Sequence, residues 1–404
     1  MSSISHLPVE LTNRIPQEIF DSIITNAGHS VLKQCSLVSH PWASTSRKCL
    51  FSYVVLFQSF TNYLATHPDA STRILSCVQH ALLDRYIDAT DGNLPVIVAK
   101  MTNLRILTFC GCAPELVGLF GGREETARNV REIRMIALGP FPSFTSIRSS
   151  LCLYSGLQTL LINGTSWNST ANSEGASGEP YPEVYHGATL PCGLKSVTVE
   201  KCIDPRNILE WLSRAHITVQ ALTLLDARRN HVDHLRRFTC VSKLTLGRFR
   251  PLRPPFPSFE GTLSECTNLK ELVISQVIDL SVRGTLWAGS SCLQLSELLR
   301  SVASPLHRLA LSFSWIDEPD LDRMDWDTLN SLLETSPFYA ELEEIHIPVS
   351  GSGTILTRAR AEAGVRARLT GLLLATTLSF DYDDYRLRCT RAAPFVRHRL
   401  QHIF

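Results

Sequence analysis

Thr102-Asn103-Leu104-Arg105-Ile106-Leu107-Thr108 returns further along the chain as Thr267-Asn268-Leu269-Lys270-Glu271-Leu272-Val273. Both copies carry the pattern apolar-x-x-apolar-x-apolar, which also begins at Val78, Leu104, Val130, Leu157, Leu194, Val219, Val241, Leu269, Leu306 and Leu342. Such a pattern arises often by chance in an apolar-rich chain, so spacing has to decide. Successive starts lie 26, 26, 27, 37, 25, 22, 28, 37 and 36 residues apart, a period that marks stacked repeats. One strand with its return segment cannot close a core, whereas neighbouring rungs share one. The expected fold class is α/β, with a curved parallel sheet built one strand per repeat. The rung at Val78 is the poorest match and reads equally as part of a helix.

Alternation along a strand puts the second, fourth and sixth residues after each start on the open face of the sheet. That face is the candidate binding surface, and its candidate contact residues are Thr108, Arg134, Thr159, Thr198, Glu200, Thr223, Lys243, Thr245, Glu271, Arg308, Glu344 and His346. Thr recurs at the fourth position because a β-branched polar side chain suits a water-facing strand. The mixed charge points to a protein substrate or partner rather than a polyanion. Cys112 and Cys202 each fall eight residues after a start, where the chain is expected to turn out of the strand and bury a small residue.

The long intervals hold insertions. Residues 163–188 are rich in Ser, Gly, Asn, Glu and Pro without periodicity and read as a mobile loop. Arg250 to Pro257 reads as a stiff, polyproline-like connector. Helices are expected over 294–302, over 329–335 after an acidic cluster that includes Asp322, Asp325 and Asp327, and from Arg358 onward as an amphipathic cap on the last rung.

Across 404 residues, 39 basic side chains against 38 acidic ones leave a net charge of +1. The broad basic footprint of a nucleic-acid binder is missing. No apolar run reaches membrane-spanning length, and the N-terminus lacks a basic region followed by an apolar core. A cytoplasmic or nuclear location is the expectation. The twelve cysteines never form Cys-x-x-Cys, and no P-loop, nucleophile elbow or zinc helix occurs. No metal, no cofactor and no catalysis are expected.

The first fifty residues hold Ile15-Pro16-Gln17-Glu18-Ile19, then Cys35-Ser36-Leu37-Val38-Ser39-His40-Pro41-Trp42, then Arg47-Lys48-Cys49-Leu50-Phe51. Pro16 suits a first helical turn and Glu18 its positive end, while Ile15, Ile19 and Ile23 recur at helical spacing. Asn26-Ala27-Gly28 supplies a stop, a second helix follows from Val31 to Val38, and a third runs from Trp42 to Phe51. This three-helix segment resembles an F-box of fungal type, with Leu7-Pro8-Val9-Glu10-Leu11 as a second candidate start. The body resembles leucine-rich repeats. The resemblance implies an F-box over 1–56, a leucine-rich-repeat solenoid over 57–380 and a tail over 381–404. It further implies that the F-box binds the Skp adaptor of a cullin–RING ubiquitin ligase. Ile15, Pro16, Glu18, Ile19, Ile23, Leu32, Leu37, Val38, Trp42, Leu50 and Phe51 are the residues it assigns to that contact. The repeat face would then present a protein substrate. A repeat scaffold with no ligase is the alternative.

Overall fold

A computed structural model describes residues 31–34, 40–88, 90–168, 193–202, 205–214, 219–225, 234–247, 260–275, 295–314, 321–322, 324–351, 357–369 and 376–384. The chain divides into two compact units, Met1–Gly193 and Leu194–Phe404.

In the first unit, β1 (Tyr53–Leu56), β2 (His80–Asp84), β3 (Ile106–Cys110), β4 (Glu132–Ile136) and β5 (Thr159–Asn163) pair in chain order, every pair parallel. The helices are α1 (His40–Phe51), α2 (Gln58–Thr66), α3 (Pro68–Leu75), α4 (Asn93–Ala99), α5 (Glu115–Gly121), α6 (Glu124–Asn129) and α7 (Phe144–Cys152). In the second unit, β6 (Ser196–Glu200), β7 (Ala221–Leu225), β8 (Lys243–Gly247), β9 (Glu271–Ser275) and β10 (Arg308–Leu311) pair in the same parallel way. β10 pairs with β12 (Glu344–Gly351), which also pairs with β13 (Thr377–Asp384) and with the two-residue β11 (Phe313–Ser314). Its helices include α8 (Arg206–Arg214), α9 (Trp326–Thr335) and α10 (Arg358–Arg368).

All ten rungs read from the sequence become parallel strands that begin two residues after the first apolar position, Val78 included, which enters strand β2 and not a helix. The ten starting residues are at most 4% exposed. The third and fifth residues after each start are buried on the same side, as Leu107 and Phe109 are in β3 and Leu272 and Ile274 in β9. Each such side chain contributes about 1.5–3 kcal/mol on burial. The opposite side of this apolar layer is closed by the return segments, through Leu116, Val117 and Phe120 of α5, Ile147 and Leu151 of α7, and Leu329 and Leu333 of α9.

Adjacent rungs are tied by a repeated backbone bond. The carbonyl of one residue accepts from two successive amides of the next rung, as Gln79 accepts from Arg105 and Ile106, and Ser242 from Lys270 and Glu271. An Asn just before the rung adds a side-chain bond: Asn103 to the Ser76 carbonyl, Asn129 to Thr102 and Asn268 to Thr239, at 2.7, 3.2 and 2.8 Å. The recurrence of Thr-Asn-Leu thus has a structural cause.

Four expectations need correction. β1 lies inside the 1–56 span assigned to an all-helical F-box, after the expected end of its third helix at Phe51. α10 does not close the last rung, because β13 follows it and pairs with all eight residues of β12. Residues 163–168 are not a mobile loop: Trp167 bridges Phe141, is buried, and packs its ring 5.5 Å from that of Phe144. Cys112 is buried as expected, but Cys202 is only half-buried. The rest of the 163–188 segment from 169 onward, and the 250–257 connector, lie outside the described residues.

Candidate sheet-face sites

The open face of the second unit forms three rows across its strands. The fourth-position row runs Thr198, Thr223, Thr245, Val273, Ala310, His346 and Ser379 by strand register. The second-position row is charged from β8 to β12. Lys243 Nζ sits 2.9 Å from Glu271 Oε1, and Arg308 lies 3.7 Å from the same oxygen through Nη1. Arg308 Nε is 2.8 Å from Glu344 Oε2. The Ser379 hydroxyl donates to Glu344 Oε1 at 2.6 Å and lies 2.9 Å from His346 Nδ1. Lys243, Glu271, Arg308 and Glu344 therefore alternate in sign along one line and neutralise each other. The Ser379 hydroxyl, with Arg308 beside it, holds the Glu344 carboxyl below the ordinary carboxylate value.

Between the charged row and Pro348 the face sinks into a recess of about 280 Å³. Val273 and Ala310 lie under it, over the backbone of Leu309, with Ser275 and Ser312 in the next row. Glu271, Arg308, His346 and Pro348 stand around it. Small residues at Ala310, Ser275 and Ser312 make the depression, with His346 beside Ala310 and Pro348 also lining it.

The first unit's face is different. Tyr53 and His80 meet edge-on at 4.7 Å, and His80 Nε2 lies 2.9 Å from the Thr108 hydroxyl. Thr108, expected to face water, is buried at 2% exposure. Arg134 pairs with Glu132 of its own strand at 2.6 Å, and Thr159 is half-buried. Around them Val55, Leu82, Ile106, Ile136 and Leu161 are partly exposed. Burial, with the Arg134 charge adding to it, lowers the His80 pKa below 6.5, while Glu132 opposes the shift.

Of the remaining face candidates, Thr198, Glu200, Thr223, Thr245, Glu271, Glu344 and His346 are half-buried, and Lys243 and Arg308 are exposed. His80, Ser379, Asp381 and Pro348 were not among the candidates. His80 stood in the weakest rung. Ser379 and Asp381 belong to β13, whose only sequence sign is the poor match Ala375-x-x-Leu378-x-Phe380.

Of the residues assigned to adaptor contact, Ile15, Pro16, Glu18, Ile19, Ile23, Leu37 and Val38 lie outside the described residues. Leu32 is buried at 6% exposure. Trp42 is in the first turn of α1, which begins at His40 rather than after Pro41, and Leu50 and Phe51 are half-buried at its end.

No protein-family model matches this chain, and no curated protein matches it. Among the described residues no group of three His, Cys, Asp or Glu could hold a metal ion, and no helix is long and apolar enough to cross a membrane. Asp322 and Asp325, between β11 and α9, have structural employment. Asp325 caps α9 through the Thr328 amide and hydroxyl at 3.0 and 2.6 Å, and Asp322 pairs with Arg368 of α10.

Proposed function

We propose that this chain is a substrate-recruiting subunit of an SCF-type cullin–RING ubiquitin ligase. In this reading an F-box in residues 1–56 binds the Skp adaptor, and leucine-rich-repeat rungs after it hold a protein substrate. The observation that carries the second half is the agreement between repeat and strand. Every rung read from the sequence ends in a parallel strand of fixed register, so one row of side chains after another faces outward. The first half rests on the F-box-like residues around Pro16 and Trp42. Such a subunit acts by proximity, because a held substrate lysine sees a high effective concentration of the ubiquitin-carrying partner. No residue of the chain needs to take part in bond making.

One observation favours a second reading, a repeat scaffold whose N-terminal helices merely close the sheet. α1 runs into β1 through Ser52 alone. The Ser52 hydroxyl donates to the Cys49 carbonyl at 2.8 Å, and its own carbonyl accepts from Gln79 and His80 at 2.9 and 2.8 Å. The helix is thereby tied to the first rung.

Co-purification separates the two. The full chain should retain the Skp adaptor, and Leu37→Ala with Trp42→Ala should abolish retention while circular dichroism and the melting temperature report folded repeats. Two apolar side chains withdrawn from an interface remove about 2 kcal/mol each. No retention of the adaptor by the full chain would sink the ligase reading, and undiminished binding by the double variant would sink the assignment of the contact to Leu37 and Trp42.

A further inference from the structure

We infer that the recess over β9, β10 and β12 seats one aromatic or large aliphatic side chain of a protein segment, and that Asp381 pairs with a Lys or Arg of the same segment. The inference rests on the reading of this face as a protein-docking surface and names the chemistry of what docks.

The recess sets the first element. An apolar cavity of about 150 Å³ accepts a benzene ring, so 280 Å³ has room for one large side chain together with the atoms that carry it. Val273, Ala310 and Pro348 would supply apolar contact.

Charge sets the second element. Lys243, Glu271, Arg308 and Glu344 cancel in sequence along their row. Asp381 is outside that line, with its side chain 76% exposed. Its one ion-pair partner among the described residues is His346, 3.5 Å away through Nε2. The Ser379 hydroxyl has a single proton and gives it to Glu344, so His346 Nδ1 must be the donor toward Ser379 Oγ. Nε2 is left facing the Asp381 carboxylate, where the imidazole carries a charge only when protonated. A fixed cation from a partner supplies what the imidazole does not. Asp381 stands opposite Pro348 in the strand register, at the rim of the recess.

Geometry sets the spacing. From the recess over β10 to β13 is two strand separations, about 10 Å, and an extended peptide advances about 3.3 Å per residue. Anchor and base are therefore about three positions apart, two to four once the reach of the basic side chain is counted.

The test is selection from a phage-displayed library of random linear peptides on the full chain, followed by fluorescence-polarisation titration of the selected peptides. Selected sequences should pair an aromatic or large aliphatic residue with Lys or Arg at that spacing. Ala310→Trp, which fills the recess, should weaken binding about tenfold or more, the loss of one buried anchor. Ser312→Tyr fills it from the side and should act likewise, which keeps the test decisive if the first variant melts early. Asp381→Lys should weaken binding about two- to fivefold, and replacing the peptide's base by Glu should restore it. Peptides that bind both filled variants as tightly as the parent, or a selection dominated by acidic peptides, would overturn the inference. Retention of the Skp adaptor, measured on the same preparations, reports the ligase reading separately. Retained adaptor with recess-independent peptides removes only the anchor site, and recess-dependent peptides without adaptor remove only the ligase.

Discussion

Four strand exits share one backbone conformation. Gly111, Ala137, Gly164 and Lys201 each follow the last residue of a strand, β3, β4, β5 and β6, with φ of 62°, 50°, 63° and 52°. Glycine adopts this left-handed region freely, whereas an L side chain pays about 1–2 kcal/mol there. Part of that cost is recovered because glycine loses more entropy on folding. Ala137→Gly and Lys201→Gly are each expected to stabilise the chain by up to about 1 kcal/mol, read as a higher denaturant midpoint. Gly111→Ala should destabilise by about 1–2 kcal/mol, because its new Cβ would also meet Arg85 Cβ at 3.2 Å. His80 makes a pH-dependent prediction at the same scale. Its pKa lies below 6.5 in the folded chain, through burial first and Arg134 second, so the unfolded chain binds the proton more readily. The stability it allows is whole above about pH 6.5 and is lost as pH falls through the lowered value. His80→Gln should keep a polar partner for Thr108 and flatten the fall in unfolding midpoint between pH 7 and 5. An unchanged slope would show that the imidazole does not titrate across the transition.

Between elements, side chains that join one rung or helix to the next carry the register. Asn268 Nδ2 donates to the Thr239 carbonyl, and Asp325 accepts from the Thr328 amide at the start of α9. Asn268→Ala and Asp325→Ala are each expected to cost about 1 kcal/mol, and thermal denaturation of each against the parent checks it. Asn268→Asp should lose as much as Asn268→Ala, since a carboxylate cannot donate to a carbonyl. The strand elements were legible because two faces impose alternation: Ile133 and Met135 vanish into the core while Glu132 and Arg134 stay outside. β1 was hidden although Phe51-x-x-Val54-x-Leu56 fits the repeat, because Phe51 already served the helix before it. β13 was hidden because Leu369, Leu372 and Leu373 look like the continuation of α10, while its own rung begins on Ala375. The recess was illegible for another reason. It exists only where Val273, Ala310 and Ser312 come side by side, and that adjacency depends on the register between strands, not on any one strand.

Within each unit every strand meets only the strands beside it, so cohesion passes from rung to rung. For such stacks stability is close to a sum of repeat and nearest-neighbour terms, and damage should stay near its source. Leu272, the second residue of β9, is fully buried, and its strand pairs with β8 on one side and β10 on the other. Leu272→Ala leaves a cavity that costs about 2–5 kcal/mol. The amides of β8, β9 and β10 depend directly on that packing, whereas β12 and β13 hold each other through an eight-residue register. Hydrogen exchange on the full chain should therefore show protection falling in β8 to β10 by the measured loss of stability, with β12 and β13 changing much less. Equal loss from β6 through β13 would mean that the second unit opens as one cooperative body, and the nearest-neighbour account of its stability would fail.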